Sequence, residues 1–206
     1  ISLWKQKPDD IFNGGNIWNM VWKYSSLPFI QKSFSNWDRK YSDSSQFFLL
    51  ITLQPRKDLS LFHKVISSSP PNWYYFIRLH PRMHEQKKKI VDIFSDIDES
   101  KWEVEDATNF PLPLLLKKSK IHITQYSSVV LEALNFNVKS ICLDAFALEL
   151  YTEKIKNQLV YFEKDPNQII SIIKKEIQVK EKDLHSPSNN RNVQEIISEY
   201  LNRFHK

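Results

Sequence analysis

Glycine is nearly missing from this chain. Of 206 residues only Gly14 and Gly15 are glycines, and they are adjacent. Motifs that need glycine at several spaced positions are therefore excluded: the dinucleotide fingerprint, the P-loop and the nucleophile elbow. Cysteine is single, Cys142. That excludes an intrachain disulfide and a multi-cysteine metal site, and it points to a reducing compartment. No uncharged apolar run reaches the roughly 18 residues of a spanning helix. Spaced zinc ligands and the aromatic motif of RNA-recognition domains are also lacking, so no nucleic-acid partner is expected.

Hydrophobic residues make up 41% and charged residues 26%, the balance of a globular chain. Lys and Arg number 29 against 24 Asp and Glu, a net charge of +5. A mild excess of this kind suits an anionic partner, either a nucleotide phosphate or an anionic membrane surface, and equally a solvated exterior. We expect a cytoplasmic location, with peripheral association at the inner face of the cell membrane left open. The chain opens on Ile1, without a basic stretch followed by an apolar core, and we expect a piece of a longer protein.

Three regions follow from composition. Residues 1–46 form an aromatic-rich segment with Trp4, Trp18, Trp22, Tyr24, Phe29, Phe34 and Trp37. Asn16 to Tyr24 reads as a helix and the rest of this segment as irregular, an appendage packing against something else. Residues 47–180 alternate strand-length apolar runs with helical stretches. The strands are expected at Phe47–Leu53, Trp73–Leu79, Trp102–Val104, Ile121–Thr124, Ser140–Leu143 and Leu159–Phe162. The helices are expected at Leu59–Ile66, Glu85–Phe94, Leu112–Lys118, Ser128–Phe136, Ala147–Lys156 and Asn167–Ile177. This pattern predicts an α/β, Rossmann-like open parallel sheet of about six strands with helices on both faces. Asp165 before Pro166 is a good helix start. Residues 181–206 begin polar and end in a helix with one apolar face, Val193, Ile196, Ile197, Tyr200, Leu201 and Phe204.

Open parallel sheets bind ligands beyond the carboxyl ends of their strands. Those ends carry Gln54-Pro55, His80-Pro81-Arg82, Glu105-Asp106, Gln125-Tyr126-Ser127-Ser128 and Asp144. Ser127 and Ser128 stand where a strand turns into a helix; they can cap that helix or hold a phosphate. His80 can donate to a phosphate oxygen or be a turn residue stiffened by Pro81, which in turn offers a flat apolar face to a base. Glu105 and Asp106 can accept from ribose hydroxyls or stand on a solvated loop. Asp96-Ile97-Asp98 has a metal-binding spacing but falls at the wrong edge of the sheet, and His80 with His84 lacks a third ligand. We expect neither a metal nor a cofactor.

Phe47–Lys175 resembles the C-terminal, nucleotide-binding half of GT-B glycosyltransferases. Leu79-His80-Pro81-Arg82 resembles their "HP" motif, and Tyr126-Ser127-Ser128-Val129-Val130-Leu131-Glu132-Ala133-Leu134 their "SS" motif. Paired in this order, the motifs resemble those of bacterial transferases using CMP- or CDP-activated donors: sialyl-, polysialyl- and Kdo transferases and CDP-glycerol glycerophosphotransferases. The resemblance implies that His80, Ser127 and Ser128 bind donor phosphate, that Pro81 packs near cytosine, and that Glu105 or Asp106 holds the ribose, with Gln54 beside them. It implies a nucleotide sugar as ligand and a missing N-terminal acceptor-binding domain, or a partner chain, that supplies the general base. Residues 1–46 and the C-terminal segment would be crossover pieces. The alternatives are a UDP-sugar transferase or sugar-nucleotide 2-epimerase of the same architecture, and a non-catalytic module docking through its aromatic segment.

Overall fold

The structure, a computed structural model, describes residues 17–24, 26–55 and 58–182. Six parallel strands form one sheet: β1 (Phe47–Thr52), β2 (Trp73–Arg78), β3 (Trp102–Glu103), β4 (Ile121–Thr124), β5 (Ser140–Cys142) and β6 (Val160–Phe162). Their order in space is β3-β2-β1-β4-β5-β6. The expected Rossmann-like open parallel sheet is therefore present, each strand within a residue or so of its expected span. Runs such as Phe-Phe-Leu-Leu-Ile-Thr suit a sheet covered on both sides, because neither face of the strand meets water.

One face packs on α3 (Ser60–Ser67), α4 (Lys87–Phe94) and α10 (Pro166–Lys182). Leu49, Ile51, Ile77, Ile121, Ile123 and Ile141 meet Phe62, Val65, Phe94, Ile169 and Ile173 there. Helix α10 begins as its sequence indicates: Asp165 Oδ1 accepts from the amides of Asn167 and Gln168, each at 2.9 Å. The opposite face packs on α1 (Ile17–Tyr24), α2 (Pro28–Lys40), α5 (Glu105–Asn109), α6 (Leu112–Lys118) and α7 (Val129–Asn135). Leu50 and Phe76 from the sheet meet Trp22, Trp37, Leu114 and Ala133.

Helix α2 corrects the reading of residues after Tyr24 as irregular. Its serines and asparagine mask the signal, but Ile30, Phe34, Trp37 and Tyr41 recur at helical steps, and Pro28 sits in the first turn, where its missing N–H is harmless. The Trp37 ring lies 4.7 Å from Phe76 and 5.2 Å from Phe48, so the aromatic segment builds part of the core. A second correction concerns Ala147–Lys156. The stretch is two short helices, α8 (Phe146–Leu150) and α9 (Thr152–Lys156), broken at Tyr151. Tyr151 points inward and donates to the Ser127 carbonyl at 2.7 Å. The helix expected from Glu85 starts at Lys87 instead, Glu85 lying inside a 3₁₀ turn at Pro81–Gln86. The amphipathic segment Val193–Phe204 lies outside the described residues.

The scarcity of glycine shows in the backbone. Asn137 and Gln158 take φ of 57° and 55° just after α7 and α9. They fill the left-handed positions that glycine usually occupies at helix ends, and asparagine tolerates that region best among residues with a side chain.

Candidate nucleotide site at the carboxyl edge of the sheet

Strand order decides where the carboxyl-end residues meet. The chain builds outward from β1 to β2 and β3, then returns to the other side of β1 with β4. The gap between the ends of β1 and β4 is thus the switch point, where an open sheet forms its crevice. Thr52 is level with Arg78 on one side and Thr124 on the other, and Thr124 is level with Cys142. Gln54, His80, Gln125 to Ser128 and Asp144 therefore leave four neighbouring strands at similar height. The axes of β2 and β4, with β1 between them, lie about 10 Å apart.

The backbone beneath this edge is pinned by a polar network inside the sheet. Buried His122 on β4 pairs its Nε2 with Thr52 Oγ1 at 2.8 Å and its Nδ1 with Ser140 Oγ at 2.9 Å. Thr124 Oγ1 donates to the Thr52 carbonyl at 2.8 Å. Burial pushes the imidazole down to about 3, so the ring stays neutral and one nitrogen donates while the other accepts.

His80 starts the 3₁₀ turn with extended backbone, and its Nδ1 accepts from the Arg82 amide at 3.2 Å. In the neutral ring this puts the proton on Nε2, which is then a donor. Pro81 is exposed beside it. Ser127 is buried; its Oγ accepts from the Val129 amide at 3.2 Å, a local cap for α7. Ser128 is exposed and makes no such cap bond. Of the two serines, one hydroxyl is engaged by the helix start and the other is not. Gln54 is half-buried in the turn after β1.

Glu105 and Asp106 stand apart from this group. They open helix α5 after the edge strand β3, where a loop was expected. Glu105 is ion-paired with Lys87. Asp106 Oδ2 accepts from the Tyr41 hydroxyl at 2.5 Å and pairs with Lys40 at 2.5 Å, both near the end of α2. The structure brings Gln54, His80, Ser127 and Ser128 onto three adjacent strand ends and leaves these two carboxylates one strand further out, already partnered. Asp96 pairs with His63, and Asp98 accepts from the Ser100 amide. Among the described residues no group of three or more His, Cys, Asp or Glu is placed to hold a metal ion.

Four further residues bear on the site or its surroundings, none of them given a role from sequence. Glu103 on β3 accepts from the amides of Asp106 and Ala107 at 2.7 and 2.6 Å, yet burial outweighs these bonds and raises its carboxyl to about 7. Glu132, in the first turn of α7, is raised by burial, opposed by Asn19 and by the Arg78 guanidinium. Arg78, the last residue of β2, donates from Nη1 to the carbonyls of Ala107 and Phe110, each at 2.7 Å. Gln125, just past β4, is 5% exposed, and neither its Nε2 nor its Oε1 has a protein partner. For Gln125 the available signal was its place in Ile121-His122-Ile123-Thr124-Gln125, an amide where the alternation calls for an apolar side chain.

No family model matches the chain, and no curated protein matches it. Solved structures share its fold. The UDP-GlcNAc 2-epimerase of Neisseria meningitidis, bound to UDP-GlcNAc, has a TM-score of 0.62 at 18% identity, over 98% of this chain and 57% of its own. HepE of Anabaena, in complex with UDP and glucose, scores 0.58 at 13% identity, over 100% and 59%. The wall teichoic acid polymerase TagF, soaked with CDPG, scores 0.53 at 14% identity, over 97% and 54%. This chain spans a little over half the length of each. At these identities the likeness establishes the fold: a Rossmann-like domain of the GT-B type.

Proposed function

We propose that this chain is the donor-binding domain of a metal-independent glycosyltransferase that uses a CMP- or CDP-activated sugar, of the sialic acid or Kdo type or related, in bacterial surface polysaccharide synthesis. The observation that carries the reading is the strand order, which sets Gln54, His80 and the Ser127-Ser128 turn on β1, β2 and β4 around one switch point. TagF, whose structure was soaked with CDPG, supports the CDP form of the reading.

In the intact enzyme an acceptor hydroxyl would attack the donor's anomeric carbon while the bond from that carbon to the phosphate oxygen breaks. The departing phosphate keeps the electron pair. Donors fixed before the reaction stabilise such charge, because they need no reorganisation as it develops. His80 Nε2–H and the Ser128 hydroxyl are the donors assigned this work, with Ser127 holding the turn. The proton released by the acceptor would go to a general base outside this domain, on an acceptor-binding half or a partner chain.

A second reading, a UDP-sugar transferase or a 2-epimerase-like domain, is favoured by the two neighbours solved with UDP ligands. Calorimetric titration with CMP, CDP and UDP separates the two. The first reading expects CMP or CDP to bind at least tenfold more tightly than UDP; the reverse order selects the second. For either, His80→Ala should weaken the preferred nucleotide by about tenfold, one charge-assisted hydrogen bond, at nearly constant melting temperature. A well-folded wild type that binds none of the three would overturn both.

A further inference from the structure

Gln125 is out of place where it stands. It continues the alternation of Ile121 and Ile123, which face the aliphatic core shared with α3 and α10. From the register of the last paired residues, its neighbours on the flanking strands are Leu53 and Leu143, which are 1% and 7% exposed. Its backbone carbonyl is satisfied, since the Asp144 amide donates to it at 3.1 Å. Its side-chain amide is not: both polar atoms are buried and neither meets a protein partner. A buried donor and acceptor left without partners destabilise the fold, and an apolar side chain of the same shape would be tolerated better. Such a residue, just past a strand that borders the switch point, calls for a partner that arrives from outside.

We infer that Gln125 is a ligand-contacting residue whose amide receives a pair of neighbouring hydroxyls of the bound nucleotide sugar. The inference rests on the donor-domain reading above and deepens it. The chemistry is set by the group itself. An amide offers one acceptor and two donors at fixed spacing, with no charge. Its carbonyl oxygen would face a phosphate oxygen as acceptor against acceptor, so phosphate is a poor match. Adjacent hydroxyls can donate to Oε1 and accept from Nε2 at the same time. Two parts of a nucleotide sugar carry such a pair, the ribose and the transferred sugar.

The test uses the whole chain and Gln125→Met, which keeps the length of the side chain and removes its polar atoms. Melting temperatures are measured without ligand, and calorimetry is run with CDP, UDP, 2′-deoxy-CDP, 2′-deoxy-UDP, CMP-sialic acid and UDP-GlcNAc. The expected result is opposite movement of the two quantities: Gln125→Met melts higher, by about 2–8 °C, and binds at least tenfold more weakly. If the ribose is the partner, the variant loses affinity for CDP or UDP, and wild type discriminates against the 2′-deoxy forms. If the transferred sugar is the partner, the nucleotides bind both proteins alike and the loss is confined to the nucleotide sugar that wild type binds, CMP-sialic acid or UDP-GlcNAc. A variant that melts higher with every affinity within twofold of wild type would overturn the inference, the amide then holding only water. A variant that melts lower would overturn it too, since the amide then has a partner within the protein. Wild type binding no nucleotide would strike the donor-domain reading itself, and this inference with it.

Discussion

The two faces of the sheet are built differently along its central strands. One presents Leu49, Ile51, Ile121, Ile123 and Ile141, all fully buried against α3 and α10. The other presents Phe48, Leu50, Thr52, His122, Thr124 and Ser140, covered by α1, α2, α6 and α7. The first is held mainly by shape and apolar burial, with Glu176 of α10 bonded to Lys139 and Tyr161 at its margin. The second combines an aromatic cluster, contributed largely from residues ahead of β1, with the imidazole–hydroxyl network that ties β1, β4 and β5 together below the switch point. The contrast teaches where sensitivity to solution conditions resides. An aliphatic face responds to volume, whereas a face with buried titratable groups responds to pH as well.

Removing the anchor of the aromatic face should give the largest effect. Trp37→Ala is expected to cost about 3–5 kcal/mol, the usual range for a large buried aromatic, read from urea midpoints. Ile51→Val on the aliphatic face should cost only about 0.5–1.5 kcal/mol. Equal costs would mean that α2 is a detachable appendage.

Next comes acid. The folded pKa of His122 is depressed to about 3 from 6.5, so the folded protein binds fewer protons than the unfolded chain between those values. Stability should be complete above about pH 6.5 and fall as the pH drops toward 3, by on the order of 3 kcal/mol. His122→Gln, which keeps a donor and an acceptor, should flatten that slope in denaturant titrations at pH 7, 5.5 and 4. Parallel slopes for the two proteins would remove His122 from the explanation.

The smaller of the two pH effects runs the other way. The Glu103 carboxyl is raised to about 7 from 4.5, so the folded protein holds the extra proton in that window. Its contribution is fully present below about pH 4.5 and is lost as the pH rises through about 7, roughly 1–2 kcal/mol after allowing for partial exposure. Glu103→Gln should show a shallower decline from pH 5 to 8 than wild type. A steeper one would show that the charged cap on Asp106 and Ala107 outweighs burial.

Much of this architecture is legible in the sequence. Continuous runs such as Phe47–Thr52 cannot be solvent-facing strands, and Asp165-Pro166 can hardly be anything but a helix start. His80 and the Ser127-Ser128 pair were placed at strand ends by counting alone. Helix α2 was missed because Ser33, Ser35 and Asn36 dilute the stripe of Ile30, Phe34 and Trp37. Glu105 and Asp106 were read by position after β3, but their partners, Lys87, Tyr41 and Lys40, are distant in sequence and approach only on folding.

Local pattern by itself determined that this chain makes a doubly covered parallel sheet, and which residues stand just beyond its strands, because strand period and helix starts depend on near neighbours in the chain. Only the tertiary structure decided that β4 returns to lie beside β1, that Asp106 turns to Lys40 and Tyr41, and that Gln125 is buried between two leucines. Each of these depends on which distant segments share a surface, and neither spacing nor composition encodes that.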